Sequence, residues 1–244
     1  MLKTLYKTID KLYKCVYNGD VNEKDRKVAD IVMKTVYSIV LSSDVVEKID
    51  RLAYENGTNR SNMINQILAE YVSYTTPEKR FREVFRQIQT ILENSAFKST
   101  EPSDTMLSLR SALAYKYNPT VKYNVELYRG DGAEIGELRV SLRTQNAGLV
   151  LYMMQFYRLW SQIEAAYYGE IVCMAEDGKY TRKLSLKRLN GVQSFDLGQV
   201  IAAYVNTFDR ALKAYFYHLE TPTAAAASVE EIYREYLASN RILV

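Results

Sequence analysis

The clearest pattern of apolar and polar positions lies between residues 34 and 74, where a two-residue alternation gives way to helical spacing. Residues 36–41 alternate between two sets, which predicts a short strand with two different faces. One face carries Tyr37, Ile39 and Leu41, and the other carries Val36, Ser38 and Val40. The alternation stops at the serine pair 42–43, either of which can cap a helix.

Two helices are predicted after this strand. The first buries Val45, Ile49, Leu52 and Ala53 and ends at Asn56-Gly57, because glycine readily adopts the left-handed conformation that closes a helix. The second begins after Asn59 as N-cap, and its apolar stripe comprises Met63, Ile64, Ile67, Leu68, Tyr71 and Val72.

One strand and two short helices cannot enclose a hydrophobic core in about 40 residues. The segment therefore predicts a homodimer or a higher homo-oligomer in which each copy borrows apolar surface from another. The expected dimer core consists of Tyr37, Ile39, Leu41, Ile49, Leu52, Ile64, Ile67 and Leu68.

The remainder of the chain predicts further elements on both sides of this segment. Residues 1–33 are expected to form an amphipathic helix and a linker, residues 77–97 a connecting helix, and residues 94–105 a loop or a domain boundary. The lysines of the first helix suit either a DNA- or partner-binding arm or a solvated face. Residues 221–244 predict an Ala-rich linker and a helix with a capping box at Ser228 and Glu231.

Residues 105–220 predict an α+β domain for oligomerisation or effector binding. Strands are expected at 107–117, 120–129 and 135–143, and helices at 146–168 and 195–219. Between the two helices, residues 170–176 and 179–188 predict a hairpin closed by Asp177-Gly178.

Composition and charge narrow the class of protein only slightly. The net charge of +3 permits nucleic-acid binding without indicating it, and residues 33–90 carry nearly equal numbers of cationic and acidic side chains. The two cysteines are far apart, which argues against a disulfide framework or a zinc site and favours a reducing cytoplasm. Apolar runs are too short to predict a membrane span.

The order and spacing within 34–74 resemble the ribbon-helix-helix family, which includes the MetJ, Arc and CopG repressors. The alternating strand leads into DVVEKIDRLA, and Gly57 precedes Asn59-Arg60-Ser61 and the apolar second helix. The resemblance implies an N-terminal ribbon-helix-helix module, and with the strands and helices predicted after it, the expected fold class is α+β, the module being followed by an antiparallel-sheet-plus-helices domain. It also implies that paired strands enter the major groove of double-stranded DNA.

The resemblance assigns two sets of DNA contacts. The strand residues expected to contact bases are Lys34, Val36, Ser38 and Val40. The residues expected to contact phosphate at the start of the second helix are Asn59, Arg60 and Ser61, through backbone N–H groups at the positive end of the helix dipole and the arginine side chain.

The outward strand face departs from the family, whose members often place polar or charged residues there. Two valines and a serine offer no bidentate pairing to a base edge. Three explanations compete: weak reading of a T-rich site, reliance on Lys34, Arg60 and DNA shape, or loss of DNA binding with retention of the dimer.

Other candidate chemistry is sparse. His218 is the only histidine, so neither a metal site nor a nucleophile–histidine pair is indicated, and no cofactor is expected. Basic residues alternate on two predicted strands, which suits either a phosphate- or RNA-binding face or a solvated one. They are Arg139 and Arg143 on one strand, and Lys179, Arg182, Lys183, Lys187 and Arg188 near the other.

These observations favour a dimeric transcriptional repressor that is not an enzyme. A plasmid-maintenance or conjugation accessory protein would use the same module on repeated or palindromic sites. A scaffold that only dimerises is the main rival class, and an enzyme in the C-terminal domain is a further one. A small-molecule effector is compatible with this organisation, but no motif indicates one.

Overall fold

The computed structural model describes residues 38–93, 95, 97–129, 134–169, 171–185 and 197–239. These residues form a mixed α+β fold. The helices are α1 (Ser43–Glu55), α2 (Arg60–Tyr71), α3 (Pro77–Leu92), α4 (Ala147–Tyr168), α5 (Leu197–Tyr217) and α6 (Pro222–Ala238). The strands are β1 (Lys98–Ser103), β2 (Met106–Ala112), β3 (Thr120–Leu127), β4 (Glu134–Leu142), β5 (Cys173–Glu176) and β6 (Lys179–Ser185).

The strands form one antiparallel sheet in the order β1-β2-β3-β4-β6-β5. Side chains alternate between the two faces of such a sheet, and on β3 every second residue from Val121 to Leu127 is buried. The buried strand residues share one hydrophobic core with helices α3, α4, α5 and α6. The helices therefore cover one face of the sheet and leave the other face polar.

Aromatic rings fill much of this core. The ring centroid of Trp160 on α4 lies 5.1 Å from that of Phe208 on α5, in an edge-to-face contact. Buried tyrosines donate their hydroxyls to buried carboxylates, as Tyr123 does to Asp209 at 2.9 Å. The chain contains 21 tyrosines, and core positions that need both a ring and a hydrogen-bond donor explain part of this number.

Several predicted boundaries are confirmed. Helix α4 begins after Asn146, whose side chain caps it, and it is followed by Gly169 with a φ of 78°. The β5–β6 hairpin closes at Asp177 and Gly178, which both have positive φ, as a tight turn requires. The α+β class predicted for this part of the chain is correct.

The segment 94–105, predicted as a loop, contains the edge strand β1. Its six side chains are all exposed, so no apolar alternation marks it in the sequence. Backbone hydrogen bonds to β2 define it instead, in a register that pairs Lys98 with Arg110. The connecting helix α3 correspondingly ends at Leu92, before the predicted limit of 97.

Two other boundaries differ from the prediction. Strand β2 ends at Ala112 instead of 117, because Tyr117 and Asn118 adopt positive φ in the turn before β3. Helix α6 begins at Pro222, so the Ala-rich stretch predicted as a linker before Ser228 is helical. Proline suits the first helical turn and alanine has the highest helix propensity, which explains the longer helix.

Candidate nucleic-acid interface

Helices α1 and α2 are joined by the short turn that the sequence predicts. Gly57 has a φ of 61°, in the left-handed region, and directly follows the α1 C-cap residue Asn56. The Asn59 side chain accepts a hydrogen bond from the Asn62 N–H at 2.9 Å and caps α2. A small core of Ile49, Ala53 and Met63, with Ile64 packed against it, holds the two helices together.

The start of α2 presents the backbone donors expected for a phosphate. The N–H groups of Arg60 and Ser61 lie in the first turn, where no earlier carbonyl of the same helix is available to them. The Asn59 side chain is occupied by the cap, so a contact from this residue to phosphate would have to come from another atom or follow a rearrangement. Backbone geometry here suits an anion.

The Arg60 side chain already has a carboxylate partner. Its Nε and one terminal nitrogen donate to the two oxygens of Asp50, both at 2.6 Å. The hydrogen bond from Arg60 lowers the pKa of Asp50, and the pKa of Arg60 is raised in return. A phosphate would therefore compete with Asp50 for this guanidinium.

The predicted base-contacting strand is only partly within the described residues. Lys34 and Val36 lie outside them, and residues 38–42 have no regular secondary structure. Ser38 is exposed, and Val40 is 99% exposed. A strand of the expected ribbon would take its hydrogen bonds from a second chain, whereas the structure contains a single copy.

The residues predicted for the dimer core divide into two groups. Ile49 is buried and Ile64 is partly buried within the single copy, and Tyr37 lies outside the described residues. The others form what we term the exposed apolar face, namely Ile39, Leu41, Leu52, Ile67 and Leu68. Large apolar side chains thus remain uncovered at these predicted core positions.

The two strands predicted to be basic are neighbours, but much of their charge is internally paired. On the polar face of the sheet, Arg139 binds Glu126 and Glu137, and Lys183 Nζ lies 2.9 Å from Glu137. Burial opposes ionisation of Glu137, yet the Tyr128 and Lys183 hydrogen bonds and the nearby cations leave its pKa lowered. Burial and the bond to Glu137 raise the pKa of Tyr128 to about 12.

Arg182 does not belong to this polar face. It pairs across the sheet with Leu138, so both side chains point into the core, and Arg182 is fully buried. Its Nε lies 3.1 Å from Glu164, and its guanidinium carbon lies 4.5 Å from the Tyr204 ring centroid. The prediction that Arg182 contributes to a basic surface is therefore wrong, while Lys187 and Arg188 lie outside the described residues.

Glu164 is a polar core residue that the sequence pattern did not reveal. It accepts hydrogen bonds from the hydroxyls of Tyr180 at 3.0 Å and Tyr204 at 2.9 Å. Burial raises its pKa, while the charge of Arg182 and the two hydroxyl donors oppose that rise. Its position at helical spacing from the apolar residues Tyr157 and Trp160 was the available signal.

Other kinds of site find little support in the described residues. His218 packs edge-on against Tyr217 after α5, and no group of three metal-ligating side chains occurs in the part of the chain described. None of the described helices is long and apolar enough to cross a membrane. An open groove of about 400 Å³ borders α3 and β1, with Arg86, Glu93 and Phe97 among its walls.

No protein-family model, curated protein or solved structure matches the chain.

Proposed function

We propose that this protein is a homodimeric, sequence-specific DNA-binding protein of the ribbon-helix-helix type that acts as a transcriptional repressor. The observation that carries the proposal is the combination of an α1–turn–α2 unit, whose second helix is capped by Asn59, with apolar residues that one copy leaves uncovered. In the proposed dimer, residues 34–41 of two copies pair as a ribbon and the exposed apolar face becomes buried. Within this class of DNA-binding protein, the alternative to a repressor is a plasmid-maintenance or conjugation accessory protein.

The proposed DNA contacts use both parts of the module. Ser38 and Val40 are exposed, and Val40 would contact thymine methyl groups in the major groove. The first-turn N–H groups of Arg60 and Ser61 would receive a phosphate. The Arg60 side chain would join them by exchanging Asp50 for the phosphate, since both members of that ion pair are about half exposed.

A scaffold that only dimerises is the second candidate. The bidentate Asp50–Arg60 pair favours it, because it occupies the one side chain at the start of α2 with the charge and geometry for a phosphate. The two candidates share the dimer and differ in whether DNA is bound.

Selection of bound duplexes from a random DNA library tests the proposal. We expect the wild-type protein to enrich a palindromic motif, with binding that weakens steeply as salt increases. Failure to enrich any motif at low salt would refute sequence-specific binding and favour the scaffold.

Two substitutions separate base reading from phosphate binding. Val40→Ala should change the preferred bases, while its effect on the single-copy fold should be small because the side chain is almost fully exposed. Arg60→Gln should weaken binding similarly on all sequences, because phosphate contacts carry no direct base information. Arg51→Gln on the exposed surface of α1 is the matched control for loss of one charge and should bind nearly as wild type.

A further inference from the structure

A row of cations crosses the polar face of the sheet near one end. The strand register places Lys98 opposite Arg110, Arg110 opposite Lys122, Lys122 opposite Ser141, and Ser141 opposite Lys179. All five side chains point away from the helices, because their strand neighbours on β2, β3, β4 and β6 are buried in the core. Four positive charges therefore occupy one line across five strands, which we call the basic row.

The basic row differs from the cations farther along the same face. Arg139 and Lys183 are bound to Glu126 and Glu137, as described above. Within the described residues, Lys98, Arg110, Lys122 and Lys179 form no ion pair or side-chain hydrogen bond, and only Lys122 is partly buried. Glu176 on the edge strand β5 is the one carboxylate at the end of the row, opposite Lys179.

The dimensions of the row fit a nucleic-acid backbone. Neighbouring strands lie about 4.8 Å apart, so the four strand steps from Lys98 to Lys179 span about 19 Å. One strand of duplex DNA carries a phosphate at about every 3.4 Å of its axis, so a row of this length spans about five or six phosphates along the axis, of which those on the near side of the helix can face the protein. Four unpaired cations would meet them through long, adaptable side chains.

The side chains around the row favour a duplex over a single strand. Proteins that bind single strands stack the bases on aromatic side chains. The outward positions of the six described strands carry none. The exposed Tyr117 lies in the turn between β2 and β3, beyond the row itself, and Tyr128, past the opposite end of β3, is bound to Glu137. The face is also too polar for an apolar protein partner, since its central positions are occupied by Asn124, Arg139 and Thr181.

We propose that the basic row, formed by Lys98, Arg110, Lys122 and Lys179, binds the phosphate backbone of double-stranded DNA without reading its sequence. This contact is separate from the ribbon-helix-helix module, and its assignment to DNA rests in part on the proposed function. It would supply affinity that the Val-Ser-Val strand face lacks. Each phosphate contact releases counterions, so the contact should be strongly dependent on salt.

The test compares two variants with equal loss of charge. The sheet variant combines Arg110→Gln, Lys122→Gln and Lys179→Gln, and the helix variant combines Arg80→Gln, Arg82→Gln and Arg158→Gln at exposed positions of α3 and α4. The probe is a fluorescent random-sequence duplex of about 40 base pairs, titrated by anisotropy over a series of KCl concentrations. Circular dichroism and thermal unfolding confirm that each full-length variant is folded.

The sheet variant should bind the random duplex at least about tenfold more weakly at low salt. Its slope of log affinity against log salt should fall by about 2 to 3, and that of the helix variant by less than about 1. Equal behaviour of the two variants would overturn the basic row as a binding site. So would no duplex binding by the wild type at low salt, or tighter binding of a single strand through the same residues.

The random duplex separates this inference from the proposed function. If the wild type enriches a motif from the library but the sheet variant keeps the wild-type salt slope, the basic row is refuted and the proposed function stands. If no motif is enriched but random duplex binding is lost in the sheet variant alone, the proposed function falls and the basic row stands.

Discussion

Leu68→Ala gives a direct test of the proposed dimer. Leu68 lies on α2 in the exposed apolar face and is 51% exposed in the single copy. If a second copy covers this face, truncation of Leu68 removes apolar contact from the interface. It should change the fold of one copy little, because the side chain is not part of the small α1–α2 core.

The magnitude follows from the exposed half of the side chain. Truncation to alanine removes three carbon atoms, each worth about 0.8 kcal/mol when fully buried. Since about half of the side chain is left for the interface to cover, the loss is about 1.2 kcal/mol per copy and about 2.4 kcal/mol per symmetric dimer. The dissociation constant of the dimer should rise about 50-fold.

Sedimentation equilibrium over a concentration series measures this dissociation constant. Leu151→Ala on α4 is the matched control, because Leu151 is 57% exposed but lies outside the module. Dimer affinity should be unchanged in the control. A wild-type monomer at high concentration would refute the proposed dimer, and equal dissociation constants for Leu68→Ala and Leu151→Ala would exclude Leu68 from its interface.

Three further predictions concern the α+β domain, and urea unfolding measures each one. Gly136→Ala should destabilise the fold by about 3 kcal/mol, because an added Cβ would collide with a backbone carbonyl of β3 and lie 3.2 Å from Leu127 Cα. A decrease in the free energy of unfolding below about 1 kcal/mol would contradict this close approach of β4 to β3. Arg182→Met should cost about 3–5 kcal/mol at neutral pH by leaving the Glu164 carboxylate buried without its cation. That cost should shrink in acid. Burial raises the pKa of Glu164, so its stabilising neutral form prevails at low pH, where the carboxyl no longer needs the charge of Arg182, and is lost as pH rises. A cost independent of pH would contradict this reason. For Glu137→Gln the sign is opposite. The lowered pKa of Glu137 stabilises the wild type at pH values above the ordinary value of 4.5, so the stability advantage of the wild type over the variant should vanish as pH falls through the folded pKa. An advantage that grows in acid would refute the assigned partners of Glu137.

Local sequence signals predicted the elements that carry their own boundaries. Asn146 and Gly169 delimit α4, and Asp177-Gly178 closes the β5–β6 hairpin, because caps and tight turns depend on a few adjacent residues. The apolar spacing of α3 and α5 likewise depends only on the helical period. The mixed α+β class follows from these elements.

Features that depend on neighbours in space escaped the sequence analysis. Strand β1 has no buried residue of its own and exists through its backbone pairing with β2. Because the sequence predicts a loop here, it gives Lys98 no place in a sheet and does not reveal the basic row. Arg182 was misplaced for a related reason: the face of a strand residue is known only once its register against β4 is known.

The sheet register also explains why the net charge is a poor guide to the charge that the surface of this protein presents. Within one strand, Arg182 is buried against Glu164, Lys183 is bound to Glu137, and Lys179 lies opposite Glu176 but forms no ion pair among the described residues. Two of these three cations are neutralised by the fold, so only the third adds to an attractive field for DNA. A protein with a net charge of +3 can thus present a line of four cations, of which only Lys179 lies opposite a carboxylate, that of Glu176, among the described residues. If the module supplies the sequence preference and the basic row supplies affinity, raising salt should weaken binding to all sequences while leaving the preferred motif unchanged.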